Sequence, residues 1–502
     1  MNTMNQRTTE EILIDLKDLI FSKGYIYSLC LILFEDFHHD LDKIHQIDYR
    51  SKLSVKECSL LIGFLVQKEI DFTFPQNPVY VLELKDKTYA LMEELHWSYN
   101  YPQVAKITEM LERKIEGEDL TNTIEDKLNF FAKDGGMVEP MFYSGDGVYD
   151  FQYLEYLDRK YKYDKDWLLQ NRNFKIDEII KTVKAIKATL QTKSSKVNLI
   201  GLKESFPLVV EKVRKKLKKQ YSTDEITEIE NDQFVAISFY QYKELFPIPI
   251  NGSGNAGDAE WHTFYENLID LFVIKKSDIE DNIWTKSFFS NFSFSPVCNE
   301  DFNGAGYFNI LNSRPLIKLD NDRFFIPIGY LIPEAVYESP YYWMCEDTAY
   351  RNKLSKNRGA VGEEIAFDLL SKVFGVENTY KSILATTKKG EPDTDIDVLC
   401  ILGSKALCVQ VKSKKLTMNA KRGSFDHLTK DFNGAVQDAY NQGLVSRNCI
   451  LKGKAVFKNE NGDEIQFKNN IDEVYIMGLT TENYPSLTHQ VHLMLDKKEN
   501  EP

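Results

Sequence analysis

Over the first 115 residues the apolar positions recur at helical spacing. In TTEEILIDLKDLIFSKG, Thr9 is the expected cap, two acids fill the first turn and Gly24 is the expected stop. Helical spacing continues through 120–220, where NTIEDKLNFFAKDGG ends at Gly135-Gly136 and a lysine-rich stretch leads into the run KVRKKLKK. The segment PIPINGSGNAGDAE (247–260) has the Pro, Gly, Asn and Ser density of a loop. Beyond it the period changes. PLIKLDNDRFFIPIG predicts a hairpin turning at Asp320-Asn321-Asp322. A helix is predicted from about Ala360 to Phe374, closed by Gly375. Two short apolar runs follow, Ile396–Leu402 and Ala406–Val411, joined by Gly403-Ser404. The chain therefore reads as multidomain: a helical region over 1–115, a second over 116–246 carrying the lysine-rich helix, a mixed α/β connector over 259–345, and a C-terminal α/β domain over 346–495.

Two details of the C-terminal pattern carry chemistry. On a helical wheel Glu363 lies within about 60° of Ala366, Phe367, Leu370 and Phe374, in the middle of the apolar face; Glu364 falls roughly 100° away, beside Asp368 and Ser371. An ionised carboxylate on a packing face is costly unless something cationic meets it, so Glu363 needs a partner that Glu364 does not. In the strand pair, glycine first in a two-residue connection suits a type II′ turn, which sets Asp397 opposite Gln410. Lys412 then shares their face, with Leu399, Ile401, Ala406 and Cys408. The other face (Val398, Cys400, Leu402, Leu407, Val409) is apolar too, so both strands are expected to be central and covered by helices.

Composition changes this picture little. The chain has 502 residues, 43% of them hydrophobic, which suits about three domains. No apolar run approaches the roughly 18 residues of a membrane span. The N-terminus has no basic stretch leading into an apolar segment, so a cytoplasmic protein without membrane contact is expected. The seven cysteines include no C-x-x-C pair, which argues against a zinc site or a disulfide framework. His489 and His492 stand three apart in a stretch of strand character, where they would point to opposite faces. Charge changes the picture more. The net charge is −14, yet 351–458 holds 19 Lys and Arg against 11 Asp and Glu, a balance of +8 that leaves −22 elsewhere. A basic segment inside an acidic chain is the footprint expected where phosphates bind. The bland reading is a solvated lysine-rich face.

An acid, a Gln and a Lys on one strand-pair face, with an inward Glu on the preceding helix, make a set of oxygen ligands suited to Mg²⁺, with Mn²⁺ as a substitute. Such a metal can polarise a phosphate oxygen and lower the pKa of a bound water, and a nearby lysine can orient that water. The order helix with Glu363, then Asp397, a hairpin, and Gln410-x-Lys412 resembles the PD-(D/E)xK restriction-endonuclease-like superfamily. The DTDIDV start (Asp393, Asp395, Asp397) and the QVK form are most similar to Mrr-type nucleases, which use Gln where most relatives have Glu or Asp. The resemblance covers about 359–453. It implies a mixed central sheet flanked by helices, catalytic roles for Glu363, Asp397, Gln410 and Lys412, and metal ligation by Asp397, Gln410, Glu363 and the carbonyl of Val411. Lys414, Lys415, Lys421 and Arg422 follow the QVK strand, where a phosphate backbone would pass.

The reading that follows is a metal-dependent nuclease acting on nucleic acid, DNA before RNA, in defence against foreign DNA. It is expected to be restrained by its N-terminal region through a regulatory partner or self-association. The alternative keeps the fold without cleavage, as a nucleic-acid-binding or partner-recruiting module. A buried Asp–Lys ion pair with no function is the plainest reading of the set, although apolar residues would fold as well there.

Overall fold

The computed structural model describes residues 7–37, 52–75, 79–115, 149–194, 261–387, 392–421, 424–467, 469–482, 484, 491 and 494–498. A capping box opens the first helix: Thr8 Oγ1 accepts the Glu11 amide, and the Glu11 carboxylate accepts the Thr8 amide. The cap is therefore Thr8 and not Thr9, because only Thr8 has a glutamate three residues on to return the bond. Helices α1 (Thr9–Ile20), α2 (Tyr25–Phe37), α3 (Val55–Leu65), α4 (Val79–Ile115), α5 (Asp150–Lys160), α6 (Lys165–Arg172), α7 (Ile176–Ser194) and α8 (Trp261–Asp270) precede the first strand, β1 (Val273–Lys275). After α9 (Ile283–Phe292) come the short strands β2 (Ser293–Phe294), β3 (Leu316–Lys318) and β4 (Arg323–Phe325), in sheet order β1-β4-β3-β2. The hairpin expected around Asp320–Asp322 is β3–β4, with Ile317 paired to Phe325. The expected helix ending at Gly135-Gly136, the run KVRKKLKK and the loop 247–260 lie outside the described residues.

Helices α10 (Leu331–Glu346) and α11 (Arg351–Phe374) lead into the larger sheet, built from β5 (Thr379–Thr386), β6 (Thr394–Leu402) and β7 (Lys405–Lys412). It is completed, after α12 (Met418–Lys421), α13 (Phe425–Phe432) and α14 (Asp438–Leu451), by β8 (Val456–Lys458) and β9 (Glu473–Thr480). The strand order is β8-β5-β6-β7-β9; β7 and β9 run parallel and the other pairs antiparallel. Helices thus concentrate toward the N-terminus, and the C-terminal half holds an α/β arrangement around a mixed sheet. Among the described residues no helix is long and apolar enough to cross a membrane.

The chain divides into two compact units. One comprises Met1–Glu112, Leu169–Gly304 and Phe308–Val336; the other Arg113–Leu168, Ala305–Tyr307 and Tyr337–Pro502. The segment 346–495 falls within the second, which also takes in 149–168.

In that second unit the hairpin forms at the expected register. Val398 pairs with Val409, and the ladder runs out to Leu402 with Lys405. Gly403 has φ +63° while Ser404 keeps a negative φ, which is the type II′ signature. Strands β6 and β7 are interior, and each face is covered. On one side Ala366, Phe367, Leu370 and Phe374 of α11 pack on Val398, Cys400, Leu407 and Val409. On the other, Leu399, Ala406 and Cys408 pack on Cys449 and Ile450 of α14. Two glycines set the approach of these helices. A Cβ at Gly443 of α14 would lie 2.2 Å from Ile476 Cγ2 of β9, and one at Gly362 of α11 would lie 2.9 Å from Thr481 Cγ2 and 3.0 Å from Val411 Cγ1. Each glycine adjoins a side chain of the site described next.

Candidate active site

The ladder between β6 and β7 ends at Val398 and Val409, and the side chains beyond that point fill the gap between the two strands. Asp397 Oδ2 accepts the Val411 amide at 2.6 Å, and Gln410 Nε2 donates to the Asp395 carbonyl at 2.8 Å. A carbonyl can only accept, so this bond fixes which end of the Gln410 amide is nitrogen. Gln410 Oε1 is buried and has no hydrogen-bond partner among the described residues. That is an orphaned acceptor in a position where such atoms are normally satisfied.

The three strand residues expected to share a face, Asp397, Gln410 and Lys412, do not all do so. Ile396 and Leu399, three apart, both pack on the α14 side, while Val398 packs on the α11 side. Strict alternation would separate Ile396 from Leu399, so β6 shifts by one residue at Asp397. The shift turns Asp397 away from the face of Leu399 and toward Glu363 of α11. Gln410 and Lys412 keep the α14 face: Gln410 Nε2 lies 3.4 Å from Ser446 Oγ, and Lys412 Nζ donates to Gln442 Oε1. The expectation of one shared face is corrected accordingly.

Glu363 lies inward as its wheel position requires, and Ser382 Oγ donates to its Oε2 at 2.9 Å. Burial raises its pKa, Ser382 and Lys381 oppose this, and the charge of Asp395 adds to it. Glu364 turns the other way, where Lys162 and the Tyr163 hydroxyl bond its carboxylate. Asp397 is the more perturbed acid. Burial pushes it up, the Val411 amide pulls it down, Glu363 and Asp395 push it up again and Lys412 opposes them, leaving it at about 6. The Glu363 charge raises Asp397, a crowding that a hard cation on their carboxylate oxygens would relieve. Among the described residues no group of three or more His, Cys, Asp or Glu side chains is arranged to hold a metal. A cation here would rest on Asp397 and Glu363, with Gln410 Oε1 and the Val411 carbonyl as the remaining expected ligands.

No family model, curated protein or solved structure matches the chain.

The basic residues after β7 are less free than their sequence suggests. Lys414 Nζ pairs with Asp431 at 3.0 Å, and Lys415 pairs with Glu338 and, at 3.3 Å, with Glu482. Lys421 ends α12, and Arg422 lies outside the described residues. In the C-terminal stretch expected as a strand, Val491 and Met494 are helical, and the Val491 carbonyl accepts the Leu495 amide at 2.8 Å. Val491, Met494 and Leu495 pack together on Phe432 and Leu428, a helical spacing; His489 and His492 are outside the described residues.

Sequence reasoning missed Gln442 and Ser446. They stand one turn apart on α14, about 6 Å, opposite Gln410 and Lys412, two apart on β7, about 6.6 Å. That match of spacings is the signal that could have found them. Gln437, between α13 and α14, bonds Asn441 and the Asp496 carbonyl and takes no part in this set.

Proposed function

We propose that this chain is a metal-dependent nuclease of the PD-(D/E)xK restriction-endonuclease-like superfamily, Mrr-type, hydrolysing phosphodiester bonds of DNA. The observation that carries the reading is the meeting of Glu363 and Asp397 at the end of the β6–β7 ladder, with Asp397 held at about 6 and Lys412 within its electrostatic reach. Half-buried acids crowded beside a lysine where a sheet opens are expensive for folding alone and are suited to chemistry. A Mg²⁺ held by Asp397, Glu363 and Gln410 Oε1 would supply Lewis-acid polarisation of a phosphate oxygen. Lys412, its ammonium steered by Gln442, donates toward the attacking water and screens charge developing on the phosphate. The Val411 amide keeps one Asp397 oxygen fixed, leaving the other for the ligand. Restraint by the N-terminal region and a role in defence against foreign DNA belong to the same proposal, since an unrestrained nuclease would attack the DNA of its own cell.

The test is incubation of wild type, Asp397→Ala and Lys412→Ala with duplex DNA, single-stranded DNA and RNA, in Mg²⁺, Mn²⁺ or EDTA. Cleavage by wild type alone, abolished by EDTA, is expected. Cleavage that survives EDTA or the Asp397→Ala change rules this site out. Nucleic-acid binding by all three proteins with cleavage by none would favour the silent binding module.

A further inference from the structure

Ser382 lies in the middle of β5 with φ +51°, a left-handed conformation that a non-glycine residue rarely adopts inside a strand. Its place in the sheet makes the anomaly specific. Lys381 pairs with Val398 and Ile383 with Ile396, so Ser382 stands opposite Asp397, between two regular pairs. The alternation of β5 shifts at this point just as that of β6 does: Tyr380 and Ile383, three apart, both pack on the α14 side. Because both strands shift together, the register on either side is preserved. The sheet thus contains a paired kink whose two central residues are Ser382 and Asp397. The kink turns the Ser382 hydroxyl onto α11, where it donates to Glu363 Oε2 at 2.9 Å. An ordinary strand residue would leave Glu363 without that donor.

We infer that Ser382 is a positioning residue for the candidate site, whose strained backbone is maintained because it holds the Glu363 carboxylate beside Asp397. The inference rests on the nuclease reading for its purpose, but not for its geometry. Strained residues persist where the surroundings over-determine them, and they cluster at functional sites. A hydrogen bond from the second layer that orients a ligating carboxylate is the usual support of a metal site. Gly362, one residue before Glu363, contributes from the other side by letting α11 come close to β7.

Ser382→Gly and Ser382→Ala separate the backbone from the hydroxyl. Both remove the donor, but only glycine relieves the left-handed conformation. In a regular strand alanine melts above glycine; at a left-handed position the order reverses. Full-length Ser382→Gly is therefore expected to melt about 2–4 °C above Ser382→Ala. Both variants are expected to bind Mn²⁺, followed by electron paramagnetic resonance, about tenfold more weakly than wild type. They should lose about tenfold in kcat with little change in KM for DNA. A double-mutant cycle of Ser382→Ala with Glu363→Ala, read from metal-free melts, should show the serine contributing in wild type and not in the Glu363→Ala background. Alanine melting above glycine would overturn the strain, and an additive cycle would overturn the contact. Wild-type Mn²⁺ affinity in both variants would overturn the positioning. Absence of Mn²⁺ binding and cleavage in wild type would sink the nuclease reading instead, leaving the melts and the cycle to decide the geometry.

Discussion

Asp397 is ionised at neutral pH against the preference of its surroundings. Its pKa in the fold, about 6, lies above the ordinary carboxylate value, so the folded state binds a proton that the unfolded chain does not. The resulting penalty is absent below about pH 4, grows between about 4 and 6, and is full above that window. Two pH units correspond to ~3 kcal/mol, and partial screening by solvent brings this to about 2. Asp397→Asn keeps an oxygen for the Val411 amide and removes the charge. It should therefore be more stable than wild type by about 2 kcal/mol at pH 8 and equal to it near pH 4, in urea titrations at both values. Activity should fall about 100-fold or more, and Mg²⁺ should raise the melting temperature of wild type but not of the variant. Equal stabilities at pH 8 would mean that Asp397 is not crowded. This residue was half legible in the sequence. The Gly403-Ser404 turn gave its register opposite Gln410, but its face was hidden. Both sides of β6 are apolar, so a one-residue shift in the alternation leaves no trace in the hydrophobic pattern.

At the scale of elements, the sequence told more about which segments form than about how closely they approach. The inward stripe of α11 and the central position of β6 and β7 follow from apolar periodicity alone, and both appear as predicted. The distance between α14 and β9 does not, because a glycine in a helix announces only weakness until its neighbour is known. Here Gly443 faces Ile476, and there is no room for a methyl group. The same crossing sets Gln442 beside Lys412 and Ser446 beside Gln410. Gly443→Ala should force the helix outward, destabilising the protein by about 1–3 kcal/mol and reducing activity through the loss of the Gln442 contact. Adding Ile476→Ala removes the colliding atom and should restore much of that activity, despite the cavity it leaves. Urea titration and cleavage rates of the single and double variants check this; a double variant no more active than Gly443→Ala alone would show that the helix approach is not what positions Gln442.

At the scale of the whole molecule, the basic balance of 351–458 invites a surface reading that the structure only partly supports. Among the described residues of the second unit, three cations and two carboxylates share one buried network. Glu338 bonds Lys160 at 2.7 Å and Lys415; Glu482 bonds Lys415 at 3.3 Å and Arg358. Lys160 lies 3.5 Å over the Tyr337 ring, and burial lowers its pKa to about 8 although Glu338 opposes this. Burial pushes Glu338 upward, yet the two lysines hold it well below the usual carboxylate range. Residues 159–164 also reach Asp368, Glu364 and Asn357 along α11, so the C-terminal fold is not closed without them. A fragment beginning at 346 would lack both Lys160 and Glu338. The charge count makes the two ends of that pair unequal. Removing Lys160 leaves two cations on two carboxylates, and a methionine can keep its contact with Tyr337. Removing the charge of Glu338 leaves two buried cations and the half-buried Lys415 on one carboxylate. Lys160→Met should therefore change stability by about 1 kcal/mol or less, while Glu338→Gln should cost about 3–5 kcal/mol, because uncompensated buried charge dominates the loss. Urea titration of the full chain at pH 7 measures both. Equal losses, or a larger one at Lys160, would show that geometry and not charge balance governs the network.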